Sequence, residues 1–186
     1  MSAGTLEAAL AGADLVHDRE ALEAAIEGMA DAIHEAYAGD ARPPLFVTIM
    51  HGGMPFAAQL ACALGERGLD LEFEYLHATR YRGSTSGSRL AWLHRPATSM
   101  RGRRVILVDD ILDEGHTLLA VTRWCEDEGA ADVRVAVLAT KVHDRCVDGV
   151  CADWSGVDVP DRYVFGYGMD FNGQGRNLPA IYALGD

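Results

Sequence analysis

Arg104-Val105-Ile106-Leu107-Val108-Asp109-Asp110-Ile111-Leu112-Asp113-Glu114-Gly115-His116-Thr117 decides how this chain is read. The four consecutive apolar residues Val105 to Val108 predict a strand covered on both faces, ending in two carboxylates and a glycine turn. Thr117-Leu118-Leu119-Ala120-Val121 then starts a helix, predicted to run to Glu128. Ligands of α/β proteins collect at such strand ends. The backbone N–H groups of Glu114 to Thr117 lie at the start of that helix, where unpaired donors and the helix dipole attract an anion. Asp109 and Asp110 repel phosphate, so they suit hydroxyls or a bridging metal. Together these features describe a sugar-phosphate pocket.

Two common phosphate loops are excluded. No Gly-x4-Gly-Lys-Ser/Thr and no Gly-x-Gly-x-x-Gly occurs in the chain. The remaining pattern is a hydrophobic strand, two acidic residues, two apolar residues, Asp, any residue, Gly, any residue and Thr. It resembles the phosphoribosyl diphosphate (PRPP) motif of the type I phosphoribosyltransferases.

Working outward, Leu22, Ile26, Met29, Ile33 and Tyr37 recur at helical spacing with Gly39 beyond, predicting an amphipathic helix over Asp18 to Ala38. A short strand at Leu45 to Met50 leads through His51-Gly52-Gly53 into a helix from Pro55 to Arg67. Strands are expected at Leu71 to Ala78 and Leu90 to His94, with the polar, glycine-rich Arg80 to Ser88 between them as a mobile loop. Val133 to Thr140 alternates as a strand and completes a βαβ unit. Strand-like pieces follow at Tyr163 to Tyr167 and Ala180 to Leu184. The expected fold is α/β, with a mostly parallel central sheet flanked by helices. No linker or repeat divides the chain, so residues 1–186 read as one domain: a core over about 40–160 and a small hood from the terminal segments.

Composition narrows the partners. Sixteen basic against twenty-eight acidic residues give a formal charge of −12, which disfavours nucleic acid and anionic membranes. Met1 to Val16 has no basic n-region leading into an apolar h-region, and no run approaches the roughly eighteen apolar residues of a membrane span. A cytoplasmic protein is expected. Cys62, Cys125, Cys146 and Cys151 are too scattered for a disulfide framework, and His143 with Cys146 and Cys151 lacks a fourth zinc ligand.

Two further segments extend the resemblance. Phe46 to Ala57 has the strand, glycine turn and helix of a second anion site, because bare glycines let phosphate oxygens approach the backbone. It resembles the pyrophosphate loop of the hypoxanthine-guanine phosphoribosyltransferases. Pro160 to Leu178 resembles that family's purine-binding segment, with an aromatic residue before a strand and an Asp and an Arg after it. The three segments stand in the family's order between about Leu45 and Leu184. The chain is therefore similar to the purine branch of the type I phosphoribosyltransferases.

The resemblance implies roles. Asp109 and Asp110 would hold the ribose hydroxyls, directly and through Mg²⁺. The backbone of Glu114, Gly115 and His116 and the Thr117 hydroxyl would bind the 5′-phosphate. Asp113 would accept a proton beside purine N7, making N9 a better nucleophile. Lys141 would donate to the 6-oxygen and so select 6-oxopurines over adenine. Tyr163 would stack on the base and the Val164 carbonyl would accept from guanine's amine. Asp170 would bind a second Mg²⁺ through water, while His51, Gly52 and Arg176 would meet pyrophosphate. Tyr81, Ser84 and Thr85 belong to the loop that would close over the reactive sugar. Homodimers or homotetramers are expected, with PRPP and a 6-oxopurine as substrates and pyrophosphate and a nucleoside monophosphate as products.

The chain departs from the pattern at His51, where the family usually has Lys or Arg, and at Glu114 and His116, where Thr and Lys are usual. An imidazole loses its charge above about pH 6.5, so pyrophosphate affinity is expected to fall between about pH 6 and 8. Two alternatives stay open at this point: a non-catalytic PRPP or nucleotide sensor, and a phosphoribosyltransferase acting on xanthine or another base.

Overall fold

The computed structural model describes residues 5–80 and 90–185. Six strands form the main sheet: β2 (Leu45–Met50), β3 (Glu72–Arg80), β4 (Leu90–His94), β5 (Arg104–Leu112), β6 (Asp132–Lys141) and β7 (Trp154–Val159). Their order is β4-β3-β2-β5-β6-β7. All neighbours are parallel except the edge pair β3 and β4. A separate antiparallel sheet joins β1 (Ala13–His17), β9 (Ile181–Leu184) and β8 (Val164–Phe165), in that order, so the two ends of the chain meet there.

Three helices longer than two turns cover the main sheet: α2 (Arg19–Tyr37), α3 (Met54–Glu66) and α4 (His116–Asp127). A short α1 (Leu6–Ala11) precedes β1. The Asp18 side chain accepts from the Ala21 N–H and caps α2, which fixes the start of that helix at the predicted acidic residue. The apolar run of β5 feeds two cores. Ile106 and Val108 pack with α2 and α3, whereas Val105 and Leu107 pack on the opposite face with Leu118, Val121 and Cys125 of α4. Burial on both faces explains why this strand reads as continuous rather than alternating.

Five elements differ from the sequence reading. β5 does not stop at the carboxylates but continues to Leu112, because β6 goes on pairing with it through Leu112↔Thr140. Tyr163 to Tyr167 holds only the two-residue β8, since Gly166, Tyr167 and Gly168 all take positive φ (98°, 49° and 105°) and turn the chain away. β7 escapes the hydrophobic pattern because Ser155, Gly156 and Asp158 dilute it. A Cβ at Gly156 would stand 2.7 Å from the Leu138 carbonyl and 3.2 Å from Met29 Sδ, so the glycine lets α2 lie close across this strand. α1 and β1 are too short for periodicity to register.

Candidate active site

The site lies where β5 outruns its neighbour. Pairing of β2 with β5 ends at Thr48↔Val108, yet β5 runs four residues further along β6. Asp109 and Asp110 therefore stand on a strand with one edge no longer paired to β2. The His51-Gly52-Gly53 turn fills that notch. A Cβ on Gly53 would lie 2.7 Å from the Val108 carbonyl and 2.9 Å from that of Ile49, and one on Gly52 would lie 2.1 Å from Asp110 Oδ2. At Gly53 the obstruction is backbone, so only glycine fits; at Gly52 it is the Asp110 carboxylate, which a side chain would have to displace. From the other side Gly168 meets Gly52, its Cβ position being 2.1 Å from the Gly52 carbonyl.

A cavity of about 350 Å³ opens over this junction. The predicted residues His51, Gly52, Asp109, Asp110, Asp113, Glu114, Gly115, His116, Thr117 and Arg176 all line it. Gly115 precedes α4 with φ 79°, a left-handed conformation, and no side chain caps the helix. The first amides of α4 thus face the cavity without a side-chain partner, as an anion site requires. Glu114 and His116 approach each other at 3.6 Å on the cavity rim.

Charge divides the cavity into two ends. Asp110 is buried and Asp109 is half-buried. Loss of water raises the carboxyl of Asp109 well above its ordinary range, with the Asp110 charge adding to it. Burial also raises Asp110, against the pull of Arg176, whose Nη1 stands 4.0 Å from Oδ2. At the other end Asp113 is lowered. Burial pushes it up, but hydrogen bonds from Lys141 (2.6 Å) and His143 (2.7 Å) outweigh that push. In the sequence His143 stands close to Cys146 and Cys151, but its ring is turned to Asp113. Next to His51 stands His77, the ring centroids 4.4 Å apart, and burial lowers the His77 imidazole first, with His51 and Arg176 adding to it.

The purine segment lies alongside. Arg176 donates to the Gly168 carbonyl and to Asp170 Oδ1, both at 2.6 Å, while Asp170 Oδ2 accepts from the Gly173 N–H. The Tyr163 hydroxyl donates to the Asp170 carbonyl at 2.8 Å, leaving the residue about half exposed. Val164 is buried in β8, paired with Ala183. Lys141, Tyr163, Val164 and Asp170 do not line the cavity itself; Lys141 reaches it through Asp113. Tyr81, Ser84 and Thr85 lie outside the described residues.

The donor set suits a hard divalent cation. Among the described residues no three His, Cys, Asp or Glu side chains converge on one point, so a cage made wholly of protein is not available. Two crowded carboxylates whose charge is destabilised by burial are the arrangement that Mg²⁺ uses when substrate oxygens and water complete its shell.

Comparison with known proteins identifies the family to which this fold belongs. The family model of the phosphoribosyl transferase domain matches residues 12–170. The hypoxanthine-guanine phosphoribosyltransferase of Streptococcus pneumoniae is 32% identical over 171 residues, 91% of each chain. That of Bacillus subtilis is 32% identical over 142 residues, 76% of this chain and 77% of its own. Among solved structures, the hypoxanthine phosphoribosyltransferase of Trypanosoma cruzi superposes with a TM-score of 0.86 at 25% identity, covering 92% of this chain and 91% of its own. A variant of the T. cruzi enzyme in a ternary substrates complex gives 0.87 at 27% identity, with 94% and 97% covered.

Proposed function

The chain belongs to the phosphoribosyl transferase domain family, and on that premise we propose how its residues divide the work of a purine salvage enzyme. The reaction moves the 5-phosphoribosyl group of PRPP to N9 of hypoxanthine or guanine, giving the nucleoside monophosphate and pyrophosphate. The observation that carries the assignment is the open end of β5, where two raised carboxylates, an uncapped helix start and a bare glycine turn face one cavity.

In this reading the amides of Glu114 to Thr117 and the Thr117 hydroxyl hold the 5′-phosphate. Asp109 and Asp110 take the ribose hydroxyls. The same two carboxylates would hold Mg²⁺, with Asp170 serving a second ion through water. When bound, Mg²⁺ supplies positive charge to the departing pyrophosphate. Arg176 and the turn His51-Gly52, which line the same cavity, would meet that leaving group, and an arginine there would offset the charge that develops as the C1′–oxygen bond breaks.

Asp113 accepts the proton of the purine imidazole ring while the N9 lone pair forms the new bond to C1′. The electron pair of the broken C1′–oxygen bond leaves with pyrophosphate. Lys141 couples recognition to this step. It is paired with Asp113 at 2.6 Å, and a purine 6-oxygen draws the ammonium away. Asp113 then loses its positive partner and becomes more basic as the substrate arrives. Tyr163 covers the base and the Val164 carbonyl meets the 2-position.

Exposed apolar residues on β3 and β4, namely Phe73 (64%), Tyr75 (46%) and Leu93 (64%), support a homodimer or homotetramer. Free thiols at Cys62, Cys146 and Cys151 are all exposed, which suits the reducing cytoplasm.

The test is pyrophosphate release from PRPP and Mg²⁺ with hypoxanthine, guanine, xanthine and adenine in parallel. Turnover is expected with hypoxanthine or guanine and not with adenine. Asp113→Asn is expected to lower kcat by about 10²- to 10⁴-fold while PRPP still binds. An adenine-specific enzyme, or full activity in that variant, would overturn the reading.

A further inference from the structure

His143 is a buried polar group that this division of work leaves unused. Its side chain is only 3% exposed, and Nε2 lies 2.7 Å from Asp113 Oδ1. On the opposite side of the ring the Arg145 backbone N–H donates to Nδ1 at 3.0 Å. Accepting that bond needs a lone pair on Nδ1, so the ring proton sits on Nε2 and is donated to the carboxylate. The imidazole is held from both sides.

Asp113 therefore has two donors of different kinds. Lys141 Nζ occupies Oδ2 at 2.6 Å on a long, flexible stem. His143 occupies Oδ1 from a ring fixed by the main chain. We propose that His143 is a positioning residue: its Nε2–H anchors Oδ1, so that when Lys141 turns to the purine 6-oxygen the vacated Oδ2 is presented to N7. This rests on Asp113 being the proton acceptor. His143 steers rather than relays, because Nδ1 cannot take a proton while it accepts from Arg145. A carboxylate without this anchor would rotate once Lys141 departs, and the collapse of Asp113 onto another partner would compete with proton transfer.

The other charged groups around this carboxylate are Glu114 beside it in the chain, Arg145 paired to Asp161 at 2.6 Å, and Asp158 across a neighbouring cavity of about 390 Å³. Cys146, Val150 and Cys151 also line that cavity, which gives a substituted side chain room without unfolding the loop.

The experiment compares His143→Leu with His143→Gln, whose amide can donate where Nε2 does. At saturating PRPP and Mg²⁺, the leucine variant is expected to lose about ten- to a hundredfold in kcat, the scale of a hydrogen bond to a charged group. Its KM for PRPP should be unchanged. The acid limb of kcat/KM for hypoxanthine should move up by about one pH unit, since a carboxylate that has lost a donor is harder to ionise. The glutamine variant should recover most of both. Equal losses in the two variants, or an unmoved acid limb, would overturn the proposal. Nitrogen NMR of the unaltered enzyme gives a reading independent of variant folding: the Nε2–H tautomer is expected, and a proton on Nδ1 would overturn it. Asp113→Asn run alongside separates the two levels. If it stays active, the proton-acceptor assignment falls and takes this proposal with it; if it is inactive while His143→Leu matches the parent, positioning alone falls.

Discussion

The two strand-to-helix turns that face the cavity use glycine for different reasons. In the turn from β5 to α4, Gly115 has φ 79°, and backbone handedness calls for a residue without a side chain. In the turn from β2 to α3, Gly53 has φ −64° and ψ −14°, values open to any residue. There the demand comes from neighbours: carbonyls of Ile49 and Val108 crowd Gly53, and the Asp110 carboxylate crowds Gly52. Gly115 is called for by conformation, with Val150 Cγ1 also 2.6 Å from where its Cβ would be, whereas Gly53 is called for by packing alone. A glycine's conservation of shape and its freedom of φ are thus separable properties, and substitutions can tell them apart.

The largest effect should come from Gly53→Ala. Its Cβ would press on backbone at 2.7 and 2.9 Å, which cannot swing aside. We expect a loss of about 1–3 kcal/mol, or a Tm lower by roughly 3–10 °C in a domain of this size, measured by calorimetry. An unchanged Tm would mean that the notch is not packed as described. Gly52→Ala sharpens the contrast, because its Cβ meets a side chain, Asp110, that can move. Stability should hold while PRPP affinity falls about tenfold, as expected when one charge-assisted contact is displaced. Isothermal titration with Mg²⁺ present reads this directly, and a parallel fall in Tm would erase the distinction. The smallest effect belongs to His51→Lys. A lysine there presents a permanent ammonium on a longer stem in place of the imidazole. Pyrophosphate inhibition should therefore tighten by up to about fivefold in the lysine variant. Identical inhibition constants would remove His51 from the pyrophosphate contact.

These turns were readable because local chemistry dictates them. Strand, acidic pair, glycine and helix follow one another within fourteen residues, and period alone separates the four apolar residues of β5 from the amphipathic α2. Cavity-lining residues near those motifs fell together as the motifs implied. Features fixed by distant partners were not readable. His143 meets Asp113 thirty positions away, and nothing in its own neighbourhood signals that contact. β7 is held by Leu138 and Met29 pressing on Gly156, a packing relation that leaves no alternation in the strand itself. The aromatic stretch after Tyr163 reads as a strand from composition, yet three successive positive φ values, one of them at Tyr167, break it.

The overhang of β5 beyond Val108 also works as a ruler. Past the last rung shared with β2, the strand advances about 3.3 Å per residue along β6 alone. The gap between the carboxylate pair at Asp109 and Asp110 and the third carboxylate at Asp113 is thereby set by a hydrogen-bonded ladder that runs to Leu112, the residue before Asp113, rather than by a pliable loop. Adding or deleting one residue within Ile111-Leu112 would change that span by a full step and reverse which way Asp113 points, so this stretch has a length as well as a composition.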